Sequence, residues 1–397
     1  MKKFKSLLYY DEARALLLER VPRIGSETVP VERSFGRVCS ADVACPMDSP
    51  PFDRAAMDGF AVRSHDTFHA SEASPLSLRV VGSVDAGGSP PSTVGKCEAM
   101  RIMTGAPLPD GADAVVMAEH VTTRDGTVVL STKAAPHLNV SRAGEDMSRG
   151  DVVVSRGTLI GPQHVALLAS AGVHELDVFA RPRFSIITTG DELVALHGPY
   201  RRYGVYDSNG AMLSSLVCMC GGEVTHRASV PDRRDDIEAA LERGQSSADV
   251  VVFTGGSSFG DKDLLSELIS PFVFHGVAIK PGKPLGFASL ERPTFVFSGY
   301  PVAAFVQFYL FVIPLLEQML ETTLCTRIDV PVDTSFSSTL GRSEFVRARI
   351  FEGRASPVPI SGSSMLTSLT QADGYLLTSP EEEGVNEGEM RTFTYFL

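Results

Sequence analysis

The residues with the most chemistry per unit length lie between Asp249 and Ala288. Asp261 and Asp263 bracket Lys262, and Lys280 and Lys283 are set beside Pro281 and Pro284. The apolar or β-branched run Val250–Thr254 precedes them and is followed at once by Gly255, Gly256 and Ser257. Glycine there lets the backbone turn sharply and approach a ligand with no Cβ in the way. Leu264, Leu265, Leu268 and Ile269 then recur at helical spacing. A strand, a glycine-rich loop and a helix present backbone N–H groups to an anion. With two ammonium groups and two carboxylates added, the segment suggests an anionic ligand held with a divalent metal. Each part also has a plainer reading, as an ordinary βα turn, a charged helix start or solvated lysines. Their concentration in one segment favours the ligand site.

Other candidate groups are spread along the chain. A proline-dense stretch carries Asp48, Asp53, Arg54 and Asp58, the last in a Met-Asp-Gly turn. Proline cannot donate to a strand ladder, so this segment is expected to be irregular, where binding groups or a solvated loop are equally at home. Arg142, Glu145 and Asp146 precede a Gly-Asp turn, a short strand and a helix begun by Pro162. Asp191 and Glu192 end a strand-like run, and Asp207 or Ser208 could cap the helix that follows.

The elements that must position these groups alternate as strand and helix from 181 to 320, which predicts a doubly wound sheet. Ligands of such sheets bind at the carboxyl ends of strands. Glu192, Asp232, Ser257, Asp261, Asp263 and the Gly299–Pro301 turn are all predicted at such ends. Residues 5–20 predict a helix ending before Pro22, with Leu8, Ala13, Leu16 and Leu17 on its apolar side. Short β-like runs between 76 and 130 predict a small β domain, and the last 70 residues predict another.

The bulk numbers set limits. A chain of 397 residues is long enough for several domains, and a net charge of −12 argues against nucleic-acid binding through a basic face. The six cysteines show neither a CxxC pair nor a Cys/His ligand spacing, so buried free thiols in a reducing compartment are expected. The N-terminus does not read as a signal peptide. The most apolar run, Ala303–Leu316, contains Gln307 and Pro314 and reads as too short to span a bilayer. A cytoplasmic location is expected.

Nine ordered segments together resemble one family. They are SPPFDRAAMDGFAVRSHD, IMTGAPLPDGADAVVMAEH, RAGEDMSRGD, ITTGDEL, YDSNG, TGGSSFGDKD, AIKPGKPLGFA, GRSEFVRARI and SGSSMLTSLTQADG. They resemble the MoeA/gephyrin E-domain family of molybdopterin molybdenumtransferases nearly end to end. The resemblance implies an elongated α/β plus β chain. A discontinuous linker domain would be built from 1–43 and 141–177, with an inserted β domain at 44–140. A doubly wound molybdopterin-binding domain would follow at 178–325, then a C-terminal β-barrel-like domain at 326–397. It also implies insertion of molybdate into adenylylated molybdopterin with Mg²⁺ and release of AMP, in a homodimer whose site lies at the subunit interface. A molybdopterin adenylyltransferase or apo-molybdoenzymes are the implied protein partners.

Carried over motif by motif, the resemblance gives catalytic roles to Asp58, Asp146, Glu192, Asp232, Lys280 and Lys283. It places Arg142, Gly255, Gly256, Ser257, Pro284, Gly299, Pro301, Arg347 and Ser364 at the bound substrates, and Asp261 and Asp263 at Mg²⁺. An oxyanion such as molybdate needs positive charge and N–H or O–H donors, which assigns it to the lysines and the backbone near Pro284. Two departures stand out. The family's usual Gly-Leu-Pro-Gly-Asn-Pro-Val-Ser segment reads FSGYPVAA here, so Tyr300 replaces asparagine and Ala303 replaces serine. Ser257 and Phe259 stand where valine is more usual. These changes keep open a divergent paralogue that binds molybdopterin or a partner protein, and the resemblance of the doubly wound domain to molybdopterin adenylyltransferases keeps open an enzyme that adenylylates the pterin.

Overall fold

The structure is a computed structural model that describes residues 7–255, 264–358 and 365–397. The chain forms two compact units. One comprises Met1–Glu27, Gly36–Ser40 and Val178–Leu397, the other Thr28–Phe35 and Ala41–Asp177.

The first unit contains the expected doubly wound sheet. Its six strands run in the order Glu223–Val230, Arg183–Thr189, Val250–Thr254, Pro293–Phe297, Gly286–Ser289 and Phe274–His275. The first four are mutually parallel; Gly286–Ser289 runs antiparallel to Pro293–Phe297, and Phe274–His275 antiparallel to Gly286–Ser289. Strand side chains alternate between faces, and the two faces bury different partners. Phe184, Ile186, Val250 and Val252 pack with Leu213, Leu216 and Val217 of helix Ser208–Met219. Ile187, Val251 and Phe253 pack with Ile237 and Ala240 of helix Arg234–Ser247 and with Leu265. Helices on both faces explain why the central strands read as continuous apolar runs rather than as alternation.

Helix Tyr10–Leu18 buries Ala13 and Leu17 in the same core. The long apolar helix runs from Pro301 to Met319, with a π-helical stretch at Phe308–Val312. Pro314 has no N–H to return to the preceding turn, and the wider π turn precedes it. The expectation that this run is too short for a bilayer is corrected. At 19 residues the helix is long and apolar enough by length and composition, but 89% of the window is buried, as in a core helix.

The C-terminal sheet of this unit has the order Ile279–Lys280, Ser343–Phe351, Gly374–Leu377, Met390–Tyr395 and Arg327–Pro331, with Arg354–Pro357 on the Ser343–Phe351 strand. The Lys280 segment thus belongs to this sheet and not to the doubly wound one.

The second unit is built on six strands in the order Ala114–Met117, Gly59–Val62, Glu98–Ile102, Leu76–Val84, Thr127–Leu130 and Val121–Arg124. Both faces are covered: Phe60, Val62 and Val116 enter one core, Ala61, Val115 and Met100 another. Gly59 is required by close approach, since a Cβ there would lie 2.0 Å from the Val116 carbonyl oxygen. Helix Pro162–Ser170 also belongs to this unit. All six cysteines are free thiols, but Cys97 and Cys218 are exposed, which corrects the expectation of burial throughout.

Candidate functional site

Strand order in the doubly wound sheet reverses at Arg183–Thr189. The next strand in sequence, Glu223–Val230, lies on one side of it, and the third, Val250–Thr254, on the other. A crevice opens at the carboxyl ends of strands at such a reversal. Gly255 sits there with φ +110°, and a Cβ on it would lie 2.1 Å from the Thr189 carbonyl oxygen. A Cβ on Gly299 would lie 3.5 Å from the Gly255 Cα. Side chains on these two residues would fill the place where three strand ends meet.

Asn209 ties those ends together. Its Nδ2 donates to Thr254 Oγ1 at 2.8 Å and to the Gly299 carbonyl at 2.9 Å. Thr254 Oγ1 donates in turn to the Ser298 carbonyl at 2.9 Å. Asn209 is held at the start of its helix because Asp207 caps that helix, accepting from Gly210 N at 2.8 Å and pairing with Arg227 at 3.2 Å. Asn209 Oδ1, buried beside these bonds, has no partner among the described residues, and the buried Thr189 hydroxyl faces the Asp232 carboxylate. Native proteins leave few atoms like Asn209 Oδ1 unpartnered, and a ligand is one explanation for it.

Two of the acids predicted at strand ends, Glu192 and Asp232, lie here. The Glu192 carboxylate folds against Gly190, where an added Cβ would meet its Oε1 at 2.6 Å. Asp232 N donates to Asp191 Oδ1 at 3.3 Å. Partial desolvation raises the Asp232 carboxyl above its usual range, the Thr189 hydroxyl opposes this, and the carboxylates of Asp191 and Glu192 raise it further. Pro301 begins the long helix at its first position, where its fixed φ suits a helix start.

Gln307, fully buried in that helix, joins two candidate loops. Its Oε1 accepts from Ser298 N at 2.9 Å. Its Nε2 donates to the carbonyls of Gly282 at 2.8 Å and Pro284 at 3.1 Å. The Lys-Pro-Gly-Lys-Pro loop and the Ser298–Pro301 turn are therefore one bonded assembly. Lys280 extends to the C-terminal sheet, where its Nζ pairs with Glu344 at 3.0 Å and donates to Thr339 Oγ1 at 3.0 Å. Arg347 is buried in that sheet with Nη1 on the Ser368 hydroxyl and Nε without a partner among the described residues. Burial lowers its pKa, and Glu344 opposes the shift.

The second unit holds the remaining candidates. Its irregular segment is fastened by carboxylates to backbone donors: Asp48 accepts from Arg149 N and Asp53 from Ala143 N, each at 2.8 Å. Asp58 accepts from Thr104 Oγ1 at 2.6 Å and Thr104 N at 2.7 Å. Those two bonds, hydroxyl first, lower its pKa. Glu145 is lowered in the same way by the Ser141 hydroxyl and the Arg142 N–H. The side chains of Arg142 and Asp146 are exposed.

Three family models match in order: the MoeA N-terminal region (domain I and II) over residues 8–172, a probable molybdopterin binding domain over 185–318, and the MoeA C-terminal region (domain IV) over 329–393. A molybdopterin molybdenumtransferase of Haemophilus influenzae is 32% identical over 98% of this chain and 99% of its own length. One of Bacillus subtilis is 33% identical over 91% of this chain and 88% of its own. A crystal structure of a molybdopterin biosynthesis moeA protein from Pyrococcus horikoshii superposes with a TM-score of 0.87 at 34% identity, covering 98% of this chain and 100% of that one. The chain belongs to the MoeA family.

Within this MoeA family member, the structure brings Glu192, Asp232, Gly255, Gly299 and Pro301 to one end of the doubly wound sheet. It links Pro284 to them through Gln307. Asp58, Arg142 and Asp146 lie in the other unit. Gly256, Ser257, Asp261, Asp263 and Ser364 lie outside the described residues. Among the described residues no group of three or more His, Cys, Asp or Glu converges to hold a metal ion. Sequence reading missed Asn209, Gln307 and Thr189 as site residues. Gln307 carried a signal, being a lone amide in an otherwise apolar run; Asn209 stood inside the YDSNG motif.

Proposed function

We propose that this chain inserts molybdate into adenylylated molybdopterin and releases AMP in an Mg²⁺-dependent reaction, acting as a cytoplasmic homodimer with the four-domain division given above. The observation that carries the reading is the crevice where strand order reverses. There Asn209 Oδ1 is buried without a partner among the described residues, beside Gly255 and Gly299. A polar ligand entering between the glycines would complete it. The match of residues 185–318 to a molybdopterin-binding model supports a pterin as that ligand.

The residues divide by charge. Breaking the phosphate link to AMP leaves negative charge on oxygen, and fixed cationic donors stabilise it. Lys283, Arg347, Ser364 and the backbone at Pro284 are assigned to that charge and to molybdate. Lys280 shares this role, and its ammonium must exchange Glu344 for the oxyanion to take it up. Glu192 and Asp232 stand at the pterin crevice, where the raised pKa of Asp232 suits a carboxyl that handles a proton. Asp58, held toward its ionised form by Thr104, Asp146 and Arg142 are assigned supporting contacts to substrate. Asp261 and Asp263 would hold Mg²⁺, since carboxylate oxygens are the donors a hard cation takes. When bound, the ion would neutralise phosphate charge.

The test is AMP release from adenylylated molybdopterin with Mg²⁺, with and without molybdate, for the wild type and Asp261→Asn. AMP that appears only with molybdate, and not from the variant, is the expected result. A second reading, a divergent paralogue that binds the pterin without inserting metal, is favoured by Tyr300 and Ala303. Pterin nucleotide that binds without AMP release would select it.

A further inference from the structure

The Ser298–Pro301 turn is fastened at each of its residues. Asn209 fixes the Gly299 carbonyl at 2.9 Å, and Gln307 fixes Ser298 N at 2.9 Å. Tyr300 N donates to Ser298 Oγ at 3.3 Å, and Pro301 starts the helix. The backbone of Tyr300 is thus immobilised at the crevice, one residue from the Gly299–Gly255 contact. Its side chain is 62% exposed and makes no hydrogen bond or ring contact among the described residues. A ring with a fixed base and a free face loses little entropy when a flat ligand settles on it.

We infer that Tyr300 is a specificity-determining residue that stacks its ring on a planar heterocycle of the substrate. The inference rests on the proposed substrate, which carries two such rings, a pterin and an adenine. Tyrosine stacks through its ring face, so the contact should survive loss of the hydroxyl and fail on loss of the ring. Because Tyr300 is exposed and its backbone bonds do not use the side chain, its substitution leaves the turn intact.

The chain has no tryptophan, so Tyr300→Trp introduces a single reporter at the turn. Titration with AMP in one arm and molybdopterin in the other should give saturable quenching with whichever ring stacks. No quenching in either arm, with binding to the wild type established by calorimetry, would overturn the inference. Steady-state AMP release supplies the second test. Tyr300→Phe should hold KM within about twofold, and Tyr300→Ala and Tyr300→Asn should raise it roughly 5- to 150-fold with kcat changed less. A KM unchanged in Tyr300→Ala, or one raised as much by Tyr300→Phe, would also overturn it. Failure of the wild type to release AMP would defeat the proposed function alone, since the fluorescence titration still reports on the ring.

Discussion

The two units use polar side chains in opposite ways. In the second unit the motif acids are satisfied by the protein itself: Asp48, Asp53 and Asp58 each accept from backbone N–H groups, and Asp58 also from a hydroxyl. In the first unit the crevice leaves Asn209 Oδ1 buried without a partner among the described residues, and desolvation, helped by the carboxylates of Asp191 and Glu192, raises Asp232. A carboxylate spanning two backbone segments holds a loop in shape, whereas an unfilled polar atom at a strand reversal is a place for something else to bind. Motif membership alone does not separate these roles; hydrogen-bond satisfaction does.

The largest effect should come from the glycines that permit close approach in each unit. Gly255→Ala would place a Cβ 2.1 Å from the Thr189 carbonyl oxygen at φ +110°. Gly59→Ala would place one 2.0 Å from that of Val116. Each should lose about 3–5 kcal/mol in denaturant titrations, the range of severe backbone clashes. A loss under about 1 kcal/mol at either position would show that the local backbone relaxes freely. The contrast between units would then appear in ligand binding: Gly255→Ala should abolish it by narrowing the crevice, a difference visible if the variant is assayed below its melting temperature.

Gln307→Leu should rank next. It leaves Ser298 N and the carbonyls of Gly282 and Pro284 unpartnered in the core. Each orphaned group typically costs about 1–3 kcal/mol, and partial rehydration should hold the total near about 3 kcal/mol. Because Gln307 positions both loops, KM for the pterin substrate should rise even at temperatures where the variant is fully folded. A melting-temperature loss with unchanged KM would reduce Gln307 to a stabilising residue.

In the second unit, Asp53→Ala removes the acceptor for Ala143 N and should cost about 1 kcal/mol, as a lost cap does. Lys280→Met should change stability by less than about 1 kcal/mol, because its pair with Glu344 is half exposed. The same substitution should lower AMP release well beyond that, if the ammonium meets an oxyanion. A double-mutant cycle with Glu344→Gln separates the two effects, and equal losses in both would place Lys280 among the merely structural ion pairs.

What could be read in the sequence follows from range. The doubly wound sheet was legible because strand and helix periods are local, and Val250–Thr254 is apolar throughout and buried on both faces. The strand-end positions of Glu192 and Asp232 were legible because a chain leaving a parallel strand must pass the same edge of the sheet. Asp207 as a cap was legible three residues from its donor. The roles of Gln307 and Asn209 were not, because their partners lie 25 and 45 residues away and are largely backbone atoms, which carry no residue-type signal. The pairing of the Lys280 strand was hidden for the same reason: it pairs with a strand that arrives much later in the chain. An apolar run likewise cannot say whether lipid or protein surrounds it, and the long helix at Pro301–Met319 needed its neighbours to be identified as core.

The smallest effect is the one whose sign best separates the two uses of acids. Asp58 is lowered by hydrogen bonds, so its stabilisation is present above the carboxyl pKa of the unfolded chain and is lost as pH falls through the folded value. Asp232 is raised, so its contribution is fully present below the unfolded pKa and is lost as pH rises through the folded value. At neutral pH Asp232 is therefore a mild liability, and Asp232→Asn should stabilise the fold by a few tenths of a kcal/mol, discounted for its exposure. That gain should vanish on acidification below about pH 4, where the unfolded carboxyl is itself protonated. Asp58→Asn should do the reverse, destabilising at neutral pH and converging on the wild type in acid. Melting temperatures of both variants from pH 3.5 to 7.5 read the two signs in one experiment. Curves of the same sign would mean that burial and the neighbouring carboxylates do not raise Asp232, and that the crevice is as fully satisfied as the loops of the other unit.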